Sequence, residues 1–510
     1  MIALTSLVPR WIGGTSLSAV VLKSYLLSRR PRLRIPLSTF FADEDPGRIA
    51  EAVMARGLDV MGFSVYMWNL EAVLEVCRRI KEKKPESFLI LGGPTASFQA
   101  DTVMEGSSSV DMIVKGEGEL PLFEVLSSLE AGSRDFDSIP NLVYRRNGRI
   151  VRTPEAVRML PLEEQEHPLD VSSFEEFETV YYETSRGCVF SCNYCAWNTS
   201  QYGRKRFRYY PLEKVLKELE GLFRLPRLAL LLLTDSNILL GGERTRKIFA
   251  RINALNQERR ERGQPLVKIN FEFNPEHLRE EMMPEIKRLY VENYPVGLQS
   301  VNAGVLKEAN RPFHRDKYLR NIRMLREKVG AAILVEIIYG LPTDTYEGFR
   351  ETLEFVLSEM SAELFVCYRF SVLPGSVFWE KRDEYGIRCQ EESPHLILSS
   401  DTFGEEDFAK ADELAYYLQI IFRTMRSLKK HIDKMGLDKK LPAYEALVAM
   451  LSSKYGDFLS PKLVYDDGFL EDVEKLRSRE NADIRRRMMA DARRVLKAFG
   501  SPEEGKPREA

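Results

Sequence analysis

The stretch Tyr182-Glu183-Thr184-Ser185-Arg186-Gly187-Cys188-Val189-Phe190-Ser191-Cys192-Asn193-Tyr194-Cys195 decides how the rest of the chain is read. It holds three of the six cysteines within eight positions, spaced C-x3-C-x2-C. Three thiolates on one loop can hold one face of a metal centre. They cannot saturate a four-iron cluster, so one iron would lack a protein sulfur. A catalytic metal needs such an open position, because substrate or cofactor can then bind there. A structural zinc site is the alternative. It pairs its ligands as C-x2-4-C or H-x3-5-H, and here a fourth thiol would have to come from Cys367 or Cys389, far downstream. A disulfide framework belongs to small secreted chains, not to a cysteine-poor chain of 510 residues.

Working outward, the cysteine loop leaves the carboxyl end of a strand-like run at 179–184. Further strand-like runs follow at 228–234, 267–273, 294–300, 332–339 and 363–370, with helical patterns between them. Six strands alternating with helices over 173–385 predict an open, partial (β/α)6 barrel, whose catalytic groups belong at the carboxyl ends of the strands. Upstream, residues 1–130 alternate in the same way and predict a doubly wound, Rossmann-like parallel sheet. Several of its strand-like runs end in small residues: Gly13-Gly14-Thr15-Ser16, Ser64-Val65-Tyr66, Gly92-Gly93-Pro94 and Gly116-Glu117-Gly118-Glu119. One glycine after a strand is an ordinary turn. Four such loops along one sheet edge favour a large flat or phosphate-bearing ligand. Residues 131–172 read as a connector with a hairpin turning at Asn147-Gly148. From 386 to 510 the patterns are helical, with helices expected at 408–434, 441–451 and 470–498, and the tail from Gly500 to Pro507 is expected to be disordered.

The C-x3-C-x2-C spacing, with aromatic Tyr194 before the third cysteine, resembles that of the radical S-adenosylmethionine (SAM) enzymes. The run Gly62-Phe63-Ser64-Val65-Tyr66, Leu91-Gly92-Gly93-Pro94 and Gly116-Glu117-Gly118-Glu119, in that order and upstream of the cysteines, is similar to the cobalamin-binding domain that precedes the radical SAM core in one branch of that superfamily. The resemblance implies three cofactors: a [4Fe-4S] cluster on Cys188, Cys192 and Cys195, SAM on the open iron, and cobalamin on the first domain. For SAM it implies contacts from Tyr194, Asp235, Glu272, Gln299, Ser300, Arg311, Glu336 and Gly340. Asp235 stands where the family often has Gly-Gly-Glu, whereas the literal Gly241-Gly242-Glu243 follows later and reads as a loop into a helix. For cobalamin it implies contacts from Gly13, Gly14, Thr15, Ser64, Tyr66, Trp68, Gly92, Gly93, Gly116, Glu117 and Gly118. The family's D-x-H-x-x-G motif is missing, and the first of five histidines is His167. Cobalt is therefore expected to have no histidine from the first domain, with Trp68 near its lower face.

Composition sets the remaining limits. A net charge of −2 gives no footprint for general nucleic-acid or membrane-surface binding. The longest apolar run, 228–233, has the length of a strand and falls short of a membrane span. Few cysteines and no visible secretory signal lead to the expectation of a reducing cytoplasm. By the resemblance, the chain is a methylase acting on an unactivated carbon of a small-molecule or peptide substrate. SAM cleavage would give a deoxyadenosyl radical, methylcobalamin would deliver the methyl group, and a flavodoxin or ferredoxin would supply electrons. The rival readings are a non-methylating cyclase or rearrangement enzyme on the same cofactors, a cobalamin sensor without turnover, and a zinc protein with a nucleotide-binding domain.

Overall fold

The computed structural model describes residues 2–10, 13–156, 160–165, 167–197, 207–463 and 467–499, so the tail beyond 499 lies outside the described residues. The first unit is a seven-stranded sheet. Its strands are β1 (Ile2–Val8), β2 (Leu37–Phe41), β3 (Val60–Ser64), β4 (Phe88–Gly92), β5 (Met112–Val114), β6 (Leu142–Arg146) and β7 (Arg149–Arg152), in the order β2-β1-β3-β4-β5-β6-β7. The first five run parallel, as their short apolar runs separated by helices require. The hairpin β6–β7 adds antiparallel to the β5 edge. The segment expected to act only as a connector thus extends the first sheet. It does so because Leu142, Val143 and Tyr144 are apolar enough to be buried there. Helices 17–29 and 119–130 cover one face, and 46–54 and 70–83 cover the other.

The second unit begins with β8 (Thr179–Tyr182), followed by the short antiparallel pair β9 (Ser185–Arg186) and β10 (Arg208–Tyr209). Then come β11 (Leu230–Leu233), β12 (Lys268–Phe271), β13 (Tyr294–Gln299), β14 (Ile333–Tyr339) and β15 (Leu364–Arg369). β8, β11 and β12 form one parallel sheet and β13, β14 and β15 another, bridged at Phe273 and Val296. The result is the open six-stranded barrel expected from the sequence. β14 shows its logic: Ile333, Val335, Ile337 and Tyr339 are buried under helices, while Leu334, Glu336 and Ile338 alternate toward the interior.

After β15, a hairpin of β16 (Arg388–Cys389) and β17 (Ile397–Ser399) leads into the helical region. The helix expected at 408–434 is two helices, Glu405–Thr424 and Arg426–Lys434, meeting at Met425. The expected 470–498 helix is likewise divided, into Asp467–Arg477 and Ala482–Leu496. The first long helix packs on the outer face of β15. Phe422 meets Phe365 edge-on with ring centroids 4.6 Å apart, and Asp412 binds both Arg369 at 2.9 Å and the Tyr339 hydroxyl at 2.7 Å. Its Phe408 ring lies so close to Gly340 that a Cβ there would come within 2.4 Å of it. A side chain at position 340 would therefore collide with Phe408. Among the described residues, no helix is long and apolar enough to cross a membrane.

The two units meet closely. Gly14, at φ +78°, sits against the start of β8, where a Cβ would stand 2.4 Å from the Thr179 carbonyl oxygen. Thr15 beside it is buried, with its hydroxyl 2.7 Å from that of Thr39. Gly13 also faces Thr179. This loop is part of the junction between units.

Two measurements follow from this packing. Gly14→Ala meets both the left-handed φ and the Thr179 carbonyl, whereas Gly57→Ala meets φ +68° with nothing within 4 Å. In urea titrations Gly57→Ala should cost about 1 kcal/mol and Gly14→Ala roughly 2 kcal/mol more, and equal losses would contradict the close junction. The second concerns Asp344, which accepts from the Gly340 and Thr345 amides and is pushed up to about 7 by burial, from an ordinary 3.8. The folded chain then keeps a proton that the unfolded chain releases near 3.8, so this carboxyl's stabilisation, full below that pH, is lost as pH rises through 7. The stability of the parent chain minus that of Asp344→Asn should fall by about 4 kcal/mol between pH 4 and 8, and a difference independent of pH would contradict it.

Candidate active site

The cysteine loop is anchored from three sides. From the segment 308–311, the Ala309 carbonyl accepts from the Asn193 amide at 2.9 Å, the Glu308 carbonyl accepts from the Asn193 side chain at 2.7 Å, and Asn310 donates to the Ser191 carbonyl at 2.8 Å. From beyond β15, the Phe378 amide donates to the Asn193 carbonyl at 3.1 Å. From beyond β11, Ser236 donates to the Gly187 carbonyl at 2.8 Å. Cys192 is buried, while Cys188 and Cys195 are partly exposed. Behind them, Arg311 donates to the Tyr194 hydroxyl at 3.2 Å and approaches the Cys192 sulfur at 3.9 Å, and its other terminal nitrogen binds the Gly297 carbonyl. Burial pushes the Tyr194 phenol well above its ordinary range. Arg311 is therefore a brace beside the cysteines.

Asp235 is 2 % exposed, and its oxygens accept from the Thr184 amide at 3.1 Å, the Thr184 hydroxyl at 2.7 Å and the Ser185 hydroxyl. Its carboxyl is raised by burial and partly brought back by those donors. Through these bonds it fixes the strand that delivers the cysteine loop. Gly241-Gly242-Glu243 does enter a helix, and Glu243 pairs with Arg246 at the surface. Beside Asp235, Arg244 reaches the Thr184 carbonyl at 3.3 Å and lies over the Tyr209 ring, with a buried Nε that lacks a partner.

Inside the barrel, Asn270 and Glu272 on and after β12, Gln299 on β13, and Glu336 on β14 share the interior face, by the strand alternation. The Glu272 carboxyl is raised by burial and then by the charge of Glu336, although water still reaches its side chain from the open interior. That of Glu336 is raised by burial and eased by Arg311. The side-chain oxygens of Asn270 and Gln299 are buried without a hydrogen-bond donor. Gln299 itself sits at φ +70°, beside an irregularity in the β13–β14 register. The interior is thus rich in acceptors and short of donors. Ser300 does not join it: its hydroxyl is 3.5 Å from that of Thr352 and accepts from the Asn302 amide at 3.1 Å, beneath the helix 346–354.

On the first unit, the small-residue loops after β3, β4 and β5 lie together. Ser64 and Ser18 hydroxyls are 3.1 Å apart, and Tyr66 stacks on Trp68 with ring centroids 4.7 Å apart and planes 3° from parallel. Trp68 is 41 % exposed, so it is a surface ring and not a core one. Ser97 links the Gly93 carbonyl, at 2.7 Å, to the Gly116 amide, at 3.0 Å, which joins the Gly92-Gly93 and Gly116 loops. Gly118 packs on Leu22 of the first helix. Glu117 is spent on guanidinium groups: it binds Arg208 and lies 3.7 Å from Arg186, while Glu119 binds Arg186 at 2.6 Å. Gly118 and Glu117 both remain partly exposed. This edge faces the barrel elsewhere too. Met67 accepts from Ser393, Gln99 is 2.9 Å from the His395 Nε2, and Phe98 packs on Gly375. His395 is buried with its Nδ1 3.2 Å from the Gln390 carbonyl, so both ring nitrogens are engaged.

The residues present suit the three cofactors. Cys77 and Cys367 are enclosed in the core, where burial pushes their thiols far up, and Cys389 lies in the β16–β17 hairpin. That leaves a donor set of three thiols on one loop. Among the described residues no three His, Cys, Asp or Glu side chains are arranged to hold one metal ion. Zinc needs that convergence, whereas a four-iron cluster takes each thiolate on a different iron. Orphaned acceptors in the barrel suit a ligand with several donors, as SAM has. In the first unit, the buried Thr5 and Ser6 hydroxyls on β1 lack partners near the serine-lined edge. Asn270, Arg244, Ser18 and Arg186 were missed from sequence because nothing local marks them; Asn270 could have been found by counting two residues back from Glu272 on its strand.

Comparison with known proteins agrees with this layout. Residues 38–126 match the B12 binding domain and residues 182–356 match the Radical SAM superfamily. The chain is 27 % identical over 359 residues to the cobalamin-dependent radical SAM methyltransferase TokK of Streptomyces tokunonensis, covering 66 % of this chain and 51 % of that protein. It is also 27 % identical over 360 residues to the 2-(S-pantetheinyl)-carbapenam-3-carboxylate methyltransferase of Streptantibioticus cattleyicolor, with coverage of 66 % and 51 %. The chain therefore spans about half the length of these relatives. In fold it is similar to the cobalamin-dependent S-adenosylmethionine radical enzyme OxsB (TM-score 0.65, 15 % identity, 98 % of this chain and 84 % of that one). It is similar as well to the radical S-adenosylmethionine methyltransferase TsrM from Kitasatospora setae (TM-score 0.60, 17 % identity, 77 % and 79 %). The chain thus carries a B12-binding domain and, after it, a radical SAM domain.

Proposed function

We propose that this protein is a cobalamin-dependent radical SAM methyltransferase that methylates an unactivated carbon of a small-molecule or peptide substrate. The observation that carries the reading is the orientation of the two units. The segment after β5, at the carboxyl edge of the first sheet, meets the strand pair β9–β10 that frames the cysteine loop, through Glu117 and Glu119 on Arg186 and Arg208. A cofactor on that edge and a cluster on that loop would then serve one reaction chamber.

In this reading Cys188, Cys192 and Cys195 hold the cluster, Arg311 and Tyr194 fix their loop, and Glu272, Gln299, Glu336 and Asn270 receive SAM in the interior. Ser64, Tyr66, Trp68, Gly92, Gly93 and Gly116 would hold cobalamin. When bound, the cluster with SAM supplies hydrogen removal from carbon, and cobalamin supplies the methyl carrier. The chain's own work is to orient these groups and exclude water, so no general acid or base is required of it. An electron donor of the flavodoxin or ferredoxin kind completes the cycle.

The test is anaerobic reconstitution with iron, sulfide and cobalamin, followed by incubation with a chemical reductant and methyl-labelled SAM. The expected result is deoxyadenosine from SAM, falling to background in Cys192→Ala, and label gained by the substrate. Deoxyadenosine with an unlabelled, altered substrate would favour the cyclase or rearrangement reading. No deoxyadenosine from cluster-loaded protein would favour the sensor, and zinc in place of iron would overturn the assignment.

A further inference from the structure

Five charged side chains occupy the seam between the two units: Glu117 from the loop after β5, Glu119 at the start of the helix 119–130, Glu183 just before β9, Arg186 on β9, and Arg208 on β10. They are mostly hidden from water. Glu119 and Arg208 are buried, and the Arg186 side chain is 15 % exposed. Arg186 is enclosed by three carboxylates, with Glu119 at 2.6 Å, Glu183 at 2.8 Å and Glu117 at 3.7 Å. Arg208 binds Glu117 and the Leu160 carbonyl, and Tyr210 donates to Glu183 at 2.7 Å. Two of the three carboxylates thus come from the B12-binding domain. Both guanidinium groups come from the strand pair that frames the cysteine loop, with Arg186 only two residues before Cys188.

The other end of this ionic group is tied to the cofactor-facing loops. Gly116 precedes Glu117 at φ +75°, and its amide donates a hydrogen bond to the Ser97 hydroxyl, which itself donates to the Gly93 carbonyl. A continuous chain of contacts runs from Gly93 through Ser97, Gly116 and Glu117 to Arg186 and Arg208. Buried ions of this kind tolerate little displacement, because an unpaired guanidinium away from water costs several kcal/mol. A planar ligand that settles the Gly93 and Gly116 loops therefore also settles Arg186, and a cluster that fixes Cys188 fixes Arg186 from the other side.

We infer that Glu117 is a positioning residue that couples occupancy of the cobalamin site to occupancy of the cluster site. The inference rests on the cofactor assignment given above. Coupling between two ligands is reciprocal, so each must tighten the other by the same factor.

The experiment measures the dissociation constant of hydroxocobalamin, by its absorbance change, for the full chain with its cluster and for the same chain after anaerobic chelation of iron. It also measures the rate of cluster loss to chelator with and without hydroxocobalamin. The expected result is a roughly fivefold or larger tightening of cobalamin by the cluster, with slower cluster loss when cobalamin is bound. In Glu117→Gln the ratio should fall to about 1, whatever the individual constants become. Arg208→Lys, which keeps the charge but loses the fork, should give an intermediate ratio, and it decides the matter if Glu117→Gln does not fold. A ratio of about 1 in the parent chain, or an unchanged ratio in both variants, overturns the coupling while leaving the cofactor assignment standing. No cobalamin binding in either state overturns both.

Discussion

The structure depends on charge neutralised away from water at the seam between its units. Arg186 and Arg208 are guanidinium groups that water does not adequately solvate, and Glu117 and Glu119 on the opposite unit satisfy them. Ion pairs at a wet surface would leave the units free to slide, but enclosed ones enforce a single register because every alternative strands a charge. Around this seam the uncharged contacts are close as well, from Gly14 on Thr179 to Phe98 on Gly375. The result is that the segment after β5 is held against the strand pair β9–β10 beside the cysteine loop.

Within the barrel the same economy of charge recurs. Glu272 and Glu336 keep raised carboxyls near one another, and Asn270 and Gln299 hold acceptors without donors. An interior left this way is costly for an empty protein, since unpaired buried acceptors lose their hydration. It becomes favourable when a donor-rich, cationic ligand arrives, which is the chemistry SAM presents. Strain and unpaired polar groups of this kind are commonly concentrated where a protein binds its ligands.

Much of this was legible in the sequence, for identifiable reasons. Strand positions in the barrel agreed within about two residues because β11, β13 and β14 are short apolar runs bounded by clear loop residues. The cysteine spacing carried its meaning locally. Side-chain roles were less legible because they depend on partners distant in sequence. Asp235 looked like an open carboxylate at a strand end until Thr184 and Ser185 proved to enclose it. Gly340 looked accessible until Phe408, 68 positions later, proved to cover it. The hairpin at 142–152 was recognisable as a hairpin, but no local feature tells which sheet edge it joins. Glu117 had the right address for a cofactor contact, and only the tertiary structure shows its carboxylate committed to arginine.

The account's central claim is that the corrin site and the cluster site open onto one chamber. The most direct measurement is electron paramagnetic resonance of the chain carrying both a reduced cluster and cob(II)alamin, compared with chains carrying each alone. The account predicts mutual broadening and faster relaxation of the two signals, as neighbouring spins require. A spectrum equal to the sum of the two separate ones would contradict it.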